Sequence, residues 1–290
     1  MQIVVTGNCQ VAPLGSALAA LIPGSEVRPV HLGVSTVTGL EQSIAQANLW
    51  VRMAVPGDDE LPKAQPSTIV VKVPTLDFAA FHPDAVYALT ESGGLFRGLT
   101  DYHSAIALWA WKRGLEPQDL AILMNPDVMA RLNYDNYWTP SVAALAGSFE
   151  QSSIPFEPFW RAAKRQGVFM HTVNHPKLSL VSLLATAVLE ASGILERTSD
   201  HGTGDIADVL DDALDHLVWP VYPFVALSLG VPGSWRWRVN DSVYDGLIPW
   251  AHATWNSYGD AKPSEVVCPR IDDGVYDAVL SPLLDARAER

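Results

Sequence analysis

A chain of 290 residues, 48% of them apolar, is long enough to bury a substantial core as one large domain or two small ones. Its 19 Lys and Arg against 32 Asp and Glu give a formal charge of −13. That balance excludes a general affinity for nucleic acid or anionic membranes, because a phosphate-tracking surface needs a net basic face.

The first residues hold no basic run, and Asn8 and Gln10 interrupt the apolar stretch too early for a signal peptide, so a cytoplasmic protein is expected. The longest uncharged apolar run, residues 217 to 231, is too short to span a bilayer and carries Pro220 and Pro223. Cys9 and Cys268, the two cysteines, are expected as free thiols. Neither has metal-binding spacing, and no metal is expected.

In chain order, "QIVVT" reads as a strand, "APLGSALAALI" as a helix, "EVRPVHL" as a second strand and "LEQSIAQANLWVRM" as a second helix. "STIVVKV" follows as a strand buried on both faces, and "DAVYALT" as a fourth. This alternation predicts an α/β fold with a parallel sheet flanked by helices. From about 100 to 165 the pattern turns helical and reads as an inserted layer or lid. "GVFMHTV" then reads as a strand leading into a helix that opens at "NHPK". "DIADVLDDALDHL" follows as an acidic helix. A Trp/Pro-rich region closes the chain from about 217 to 290, giving a single α/β domain in all.

Cys9 lies in the turn "GNCQ" between the first strand and helix. There a helix N-terminus presents unpaired N–H groups and partial positive charge, which bias a thiol toward the nucleophilic thiolate. The same groups, with the amides of Asn8 and Gln10, can hold a developing oxyanion, and Gly7 permits a tight backbone path. The plain alternative is a small buried filler in an unusual turn. A dinucleotide loop is disfavoured, because "GNCQVAPLG" lacks two of the glycines that admit a pyrophosphate.

A catalytic cysteine needs a base, and three histidine contexts are candidates. His175, after a buried strand, is expected at the same sheet edge as Cys9, with Asn174 beside it to orient the imidazole, donate to an oxyanion or simply cap the helix. His82 and Asp84 in "FHPD" also lie between strands; Asp84 either orients a histidine or accepts turn N–H groups. His103 opens a helix, facing a cleft or serving no chemistry. Residues 158 to 189 hold no acid but carry Arg161, Lys164, Arg165 and Lys177, a patch for a phosphate-bearing ligand or a solvated helix face.

"GNCQ", "FHPD", "YHS" and "NHP" in this order resemble the WcbI-type polysaccharide biosynthesis family over roughly residues 3 to 190. The resemblance implies a capsule-type acetyltransferase that uses coenzyme A. Cys9 would then be nucleophile or thiol-binding centre, His175 or His82 would move protons, and acetyl-coenzyme A would be the acyl donor. The placement of Cys9 is also similar to the serine of SGNH hydrolases. The acid of their Asp-x-x-His block is missing, however, since Thr172 stands three residues before His175, which leaves Asp84 as the candidate. The expected function is O-acyl transfer to a sugar or polysaccharide precursor. The alternatives are a thiol esterase or deacylase and a non-catalytic module binding coenzyme A or glycan.

Overall fold

The computed structural model describes residues 1–32, 39–54, 61–195 and 204–288. The chain forms two compact units, Met1–Phe78 with Val142–Asp215, and Ala79–Ser141 with His216–Arg290.

The first unit carries the parallel sheet of an α/β fold. Strand β1 (Gln2–Gly7) leads through helix α1 (Val11–Leu21) to β2 (Glu26–His31), and helix α2 (Leu40–Gln46) leads to β3 (Leu49–Met53), followed by β4 (Ile69–Val73). The strands run parallel in the order β2-β1-β3-β4. Ile3 to Gly7 are all buried, as expected for a strand covered on both faces. The order reverses direction at β1, so right-handed crossovers put α1 and α2 on opposite faces. Val4 packs with Leu40, Ile44, Ala47 and Trp50 on the α2 side. By alternation Ile3 and Val5 point the other way, where α1 packs against helix Leu178–Ala191. Pro29 is tolerated in β2 because that strand is an edge.

Four elements depart from the sequence reading. "LEQSIAQANLWVRM" is not one helix. It holds α2 and then β3, because Asn48 stitches the start of β1 (Gln2 N–H to Asn48 Oδ1, 2.7 Å; Asn48 N–H to Gln2 C=O, 2.9 Å) and Leu49 to Val51 are buried between neighbouring strands. "DAVYALT" is not a strand of the main sheet but two short strands, Ala85–Val86 and Ala88–Thr90, in small antiparallel sheets of the second unit.

"GVFMHTV" forms no strand. His171 N–H donates to His175 C=O (2.7 Å) and Lys177 N–H to Phe169 C=O (2.9 Å), closing a tight reversal; the helix starts at Leu178, after His175. The acidic stretch holds only helix Gly204–Ala207, because the Asp212 carboxylate takes Leu214 N–H (3.2 Å) in a local turn that competes with helix.

In the second unit, helix Ala105–Lys112 begins at Ser104, whose side chain accepts Ala107 N–H, so His103 precedes the helix instead of opening it. The Trp-rich region is core: Trp237 and Trp250 stack at 4.4 Å and 7°, with Trp219 edge-on to both. Among the described residues no helix is long and apolar enough to cross a membrane, and no group of three or more His, Cys, Asp and Glu side chains is placed to hold a metal ion.

Candidate active site

In a sheet of this order the crevice lies at the carboxyl ends of the strands, where the chain direction switches, here between β1 and β3. The "GNCQ" turn leaves β1 at that point. Gly7 is required for space: a Cβ there would lie 2.6 Å from Met53 Sδ and 2.7 Å from Met53 Cβ on β3. The turn then closes on Asn8, whose Oδ1 accepts Gln10 N–H (3.0 Å) and whose C=O accepts Val11 N–H (3.1 Å).

Gln10 is buried, and its carboxamide is fully used. Nε2 donates to Leu76 C=O and Asn174 C=O, each at 3.0 Å, and Oε1 accepts Leu76 N–H at 3.0 Å. It is therefore not an oxyanion donor. It ties the Cys9 turn to the loop after β4 and to the reversal carrying His175. Asn8 differs, because only its oxygen is engaged among the described residues and its Nδ2–H groups remain available.

The Cys9 thiol is half-buried and free. Burial pushes its pKa up, and the Asp77 carboxylate pushes it further, against the smaller opposing effect of the Cys9 backbone N–H. The expected standing thiolate is thus corrected. The N–H groups of Gln10 and Val11 are spent on Asn8, so the helix start offers the sulfur little. Cys9 rests as a thiol and needs a base to become a nucleophile.

The reversal that carries His175 is joined to the turn through the backbone of Asn174. Asn174 is bonded through its carbonyl to Gln10, and His175 follows it directly. Asn174 C=O makes this contact, so the backbone carries the part of Asn174 seen here. His171 opens the reversal, 8% exposed, with Nε2 donating to Asp212 Oδ2 at 2.8 Å. Partial burial works against the Asp212 carboxylate, but the bonds from His171, Leu178 N–H and Leu214 N–H outweigh it and hold its pKa below the usual range. Asp77 and Asp212 carry no motif signal. His171 was visible in "HTVNHP", but its partner lies 41 positions away.

His82, Asp84 and His103 belong to the second unit. Asp84 is fully buried and takes Tyr134 OH (2.7 Å), Tyr222 OH (3.0 Å) and Ile106 N–H (3.1 Å), besides Ser104. No histidine stands among these donors, so Asp84 is corrected from triad acid to the hub of a buried network. His103 is 1% exposed; Nε2 bonds Phe96 C=O (3.0 Å) and Nδ1 accepts from Tyr258 OH (2.9 Å). Burial lowers its pKa and favours the neutral ring, in which Nε2–H donates to Phe96 and Nδ1 accepts from Tyr258. The cleft-facing role for His103 is therefore corrected too. His82 is buried, with Nδ1 3.4 Å from Pro220 C=O.

Of the basic residues, Arg161, Lys164 and Arg165 are exposed near the end of helix Phe156–Ala163 and form no ion pair among the described residues. Lys177 is half-buried beside Asp212. Burial lowers its pKa, and the Asp212 charge partly opposes that.

The model of the family described as "Polysaccharide biosynthesis enzyme WcbI" matches residues 2–197. A solved structure of WcbI, described as a polysaccharide biosynthesis enzyme in its native form without a disulfide bond between coenzyme A and one of its cysteines, is similar at a TM-score of 0.69. It shares 16% identity, over 98% of this chain and 97% of that one, a likeness of fold. No curated protein matches. With two thirds of its length matched, carrying "GNCQ" and "NHP" on one compact unit, this chain belongs to the WcbI family of polysaccharide biosynthesis enzymes.

Proposed function

We propose that the protein is a coenzyme A-dependent acyltransferase that moves an acyl group, acetyl in the simplest case, to a hydroxyl of a sugar or polysaccharide precursor. The observation that carries this is the Gln10 staple, which docks the His175 reversal onto the Cys9 turn at the sheet's switch point. His175 takes the Cys9 thiol proton as the sulfur attacks the thioester carbonyl. Asn8 Nδ2–H faces no competing acceptor and donates to the oxyanion that forms. The proton then passes to the leaving thiol, and a sugar hydroxyl, deprotonated by the same imidazole, takes the acyl group from Cys9. The similar WcbI structure is described as a native form without a disulfide bond between coenzyme A and one of its cysteines, so its description names both the carrier and a cysteine, which supports coenzyme A as the carrier met at Cys9. Arg161, Lys164, Arg165 and Lys177 fit its phosphate groups, as local cations on an acidic protein.

The raised pKa of Cys9 favours a second role, in which the thiol only contacts the thiol end of the carrier while a histidine activates the sugar hydroxyl for direct attack. Chromatographic measurement of coenzyme A released from acetyl-coenzyme A separates the two. Acyl transfer through Cys9 predicts a burst without acceptor that Cys9→Ser abolishes. Direct attack predicts no burst and acceptor-dependent release that survives in Cys9→Ser. Absence of release with any hydroxyl acceptor overturns the transferase reading.

A further inference from the structure

Asp212 lies outside every motif, yet it holds both ends of the reversal that carries His175. Its Oδ2 accepts His171 Nε2–H at 2.8 Å and Leu178 N–H at 2.9 Å, and its Oδ1 accepts Leu214 N–H at 3.2 Å. His171 opens the reversal and Leu178 is the first residue of helix Leu178–Ala191, whose own N-cap residue, Lys177, offers no side-chain cap. The acidic residue therefore caps a helix from a distance, where a carboxylate also meets the favourable end of the helix dipole. The reversal closes internally through His171 N–H to His175 C=O at 2.7 Å, and its crown is held by Gln10 at Asn174 C=O. The segment is thus fixed at its crown by Gln10 and at its base by Asp212. His171 is shielded from water, so the bond to Asp212 competes little with solvent.

We propose that Asp212 is a positioning residue for acyl transfer: through the imidazole of His171 and the first N–H of helix Leu178–Ala191 it fixes Asn174 and His175 against the Cys9 turn. This rests on the acyl-transfer reading for its kinetic consequence and on the bonding alone for its structural one. His171 is a link in the clamp, and its imidazole carries no proton to or from substrate.

The test uses Asp212→Ala and His171→Gln in the full chain, with acetyl-coenzyme A as donor. Misplacing a catalytic group by about 1 Å costs roughly 100-fold, so Asp212→Ala is expected to lower kcat by about that factor while KM for acetyl-coenzyme A stays within about threefold. In His171→Gln the terminal amide N–H replaces Nε2–H, and kcat is expected within about threefold of wild type. A folded Asp212→Ala with wild-type kcat overturns the proposal. So does His171→Gln losing as much as Asp212→Ala, which would make the imidazole itself the proton carrier.

Should Asp212→Ala fail to fold, Asp212→Ser takes its place. Its hydroxyl is one atom shorter than the carboxylate and cannot reach both His171 and Leu178, so kcat falls by about tenfold and no drop overturns the clamp. Should wild type show no transfer, the acyl-transfer reading fails by itself, and the clamp is read from alkylation of Cys9 by iodoacetamide. Asp212→Ala or Asp212→Ser then changes that rate at least about threefold, and an unchanged rate refutes the clamp.

Discussion

Gln10 Nε2 donates to the backbone carbonyl of Asn174 across 164 positions of sequence, at 3.0 Å, while the other end of the same carboxamide pairs with both backbone groups of Leu76. One buried amide thereby joins the three segments that meet beside Cys9.

Removing that amide takes away the partner of Leu76 N–H and of Leu76 C=O in the core and one bond of Asn174 C=O. Gln10→Ala is therefore expected to cost about 2–4 kcal/mol, read by urea denaturation. Gln10→Glu is expected to be worse at pH 7 than at pH 5. A buried carboxylate aimed at two carbonyls has a raised pKa, and protonation restores one donor, so its stability is lost as pH rises. Equal stability of Gln10→Glu at both pH values would contradict this geometry.

Cys9 is expected to react slowly with iodoacetamide at pH 7, because burial and Asp77 favour the thiol. Asp77→Asn removes a negative charge that opposes the thiolate, so the pKa falls and alkylation at fixed pH speeds up by several-fold. The rate profile of that variant, followed by mass spectrometry of the Cys9 peptide, should shift to lower pH. A shift to higher pH would mean that the carboxylate acts on the thiol as a base.

Asp84→Ala should unfold the protein more readily, by about 3–5 kcal/mol, since it strands Tyr134, Tyr222 and Ile106 N–H in the core. Asp84→Asn should be far milder. Burial raises the Asp84 pKa, so this group's stability contribution is greatest below the unfolded value and declines as pH rises, and the neutral amide removes that dependence. Thermal melts of the two variants between pH 4 and 8 check it.

Asp212 has the opposite sign. Its pKa is depressed in the fold, so its contribution is present above the unfolded carboxylate value near pH 4 and is lost as pH falls through the folded value. Asp212→Ala should lose stability at pH 7 and show a flatter acid limb. A melt profile parallel to wild type below pH 4 would count against the paired carboxylate.

The sheet was legible in part because β1 and β4 carry apolar runs, and the Cys9 turn because a strand, polar residues and a helix follow one another; but β4 is not buried on both faces, since it lies at the sheet edge with Ile69, Val70 and Lys72 exposed. Strand β3 was not, since "ANLWVRM" continues the helical spacing of α2 by chance and only the bonds of Asn48 and the neighbouring strands decide its form. At the site, Cys9 and His175 stood out by residue type. The function of Gln10 did not, because an amide reads as a donor until its carbonyl partners, 66 and 164 positions away, are known. Asp84 shows the same limit. Beside a histidine it reads as a triad acid, whereas tyrosines 50 and 138 positions away claim its oxygens. Asp212 was hidden in an acidic run whose composition suggests a solvated helix.

If the turn holding Cys9 receives the thiol end of an acyl carrier, a crystal structure with coenzyme A bound will show it. The coenzyme A sulfur is expected in van der Waals contact with Cys9 Sγ, with the Asn8 amide turned toward the same space. A sulfur lying away from the Cys9 turn, with the carrier fully ordered, would contradict it.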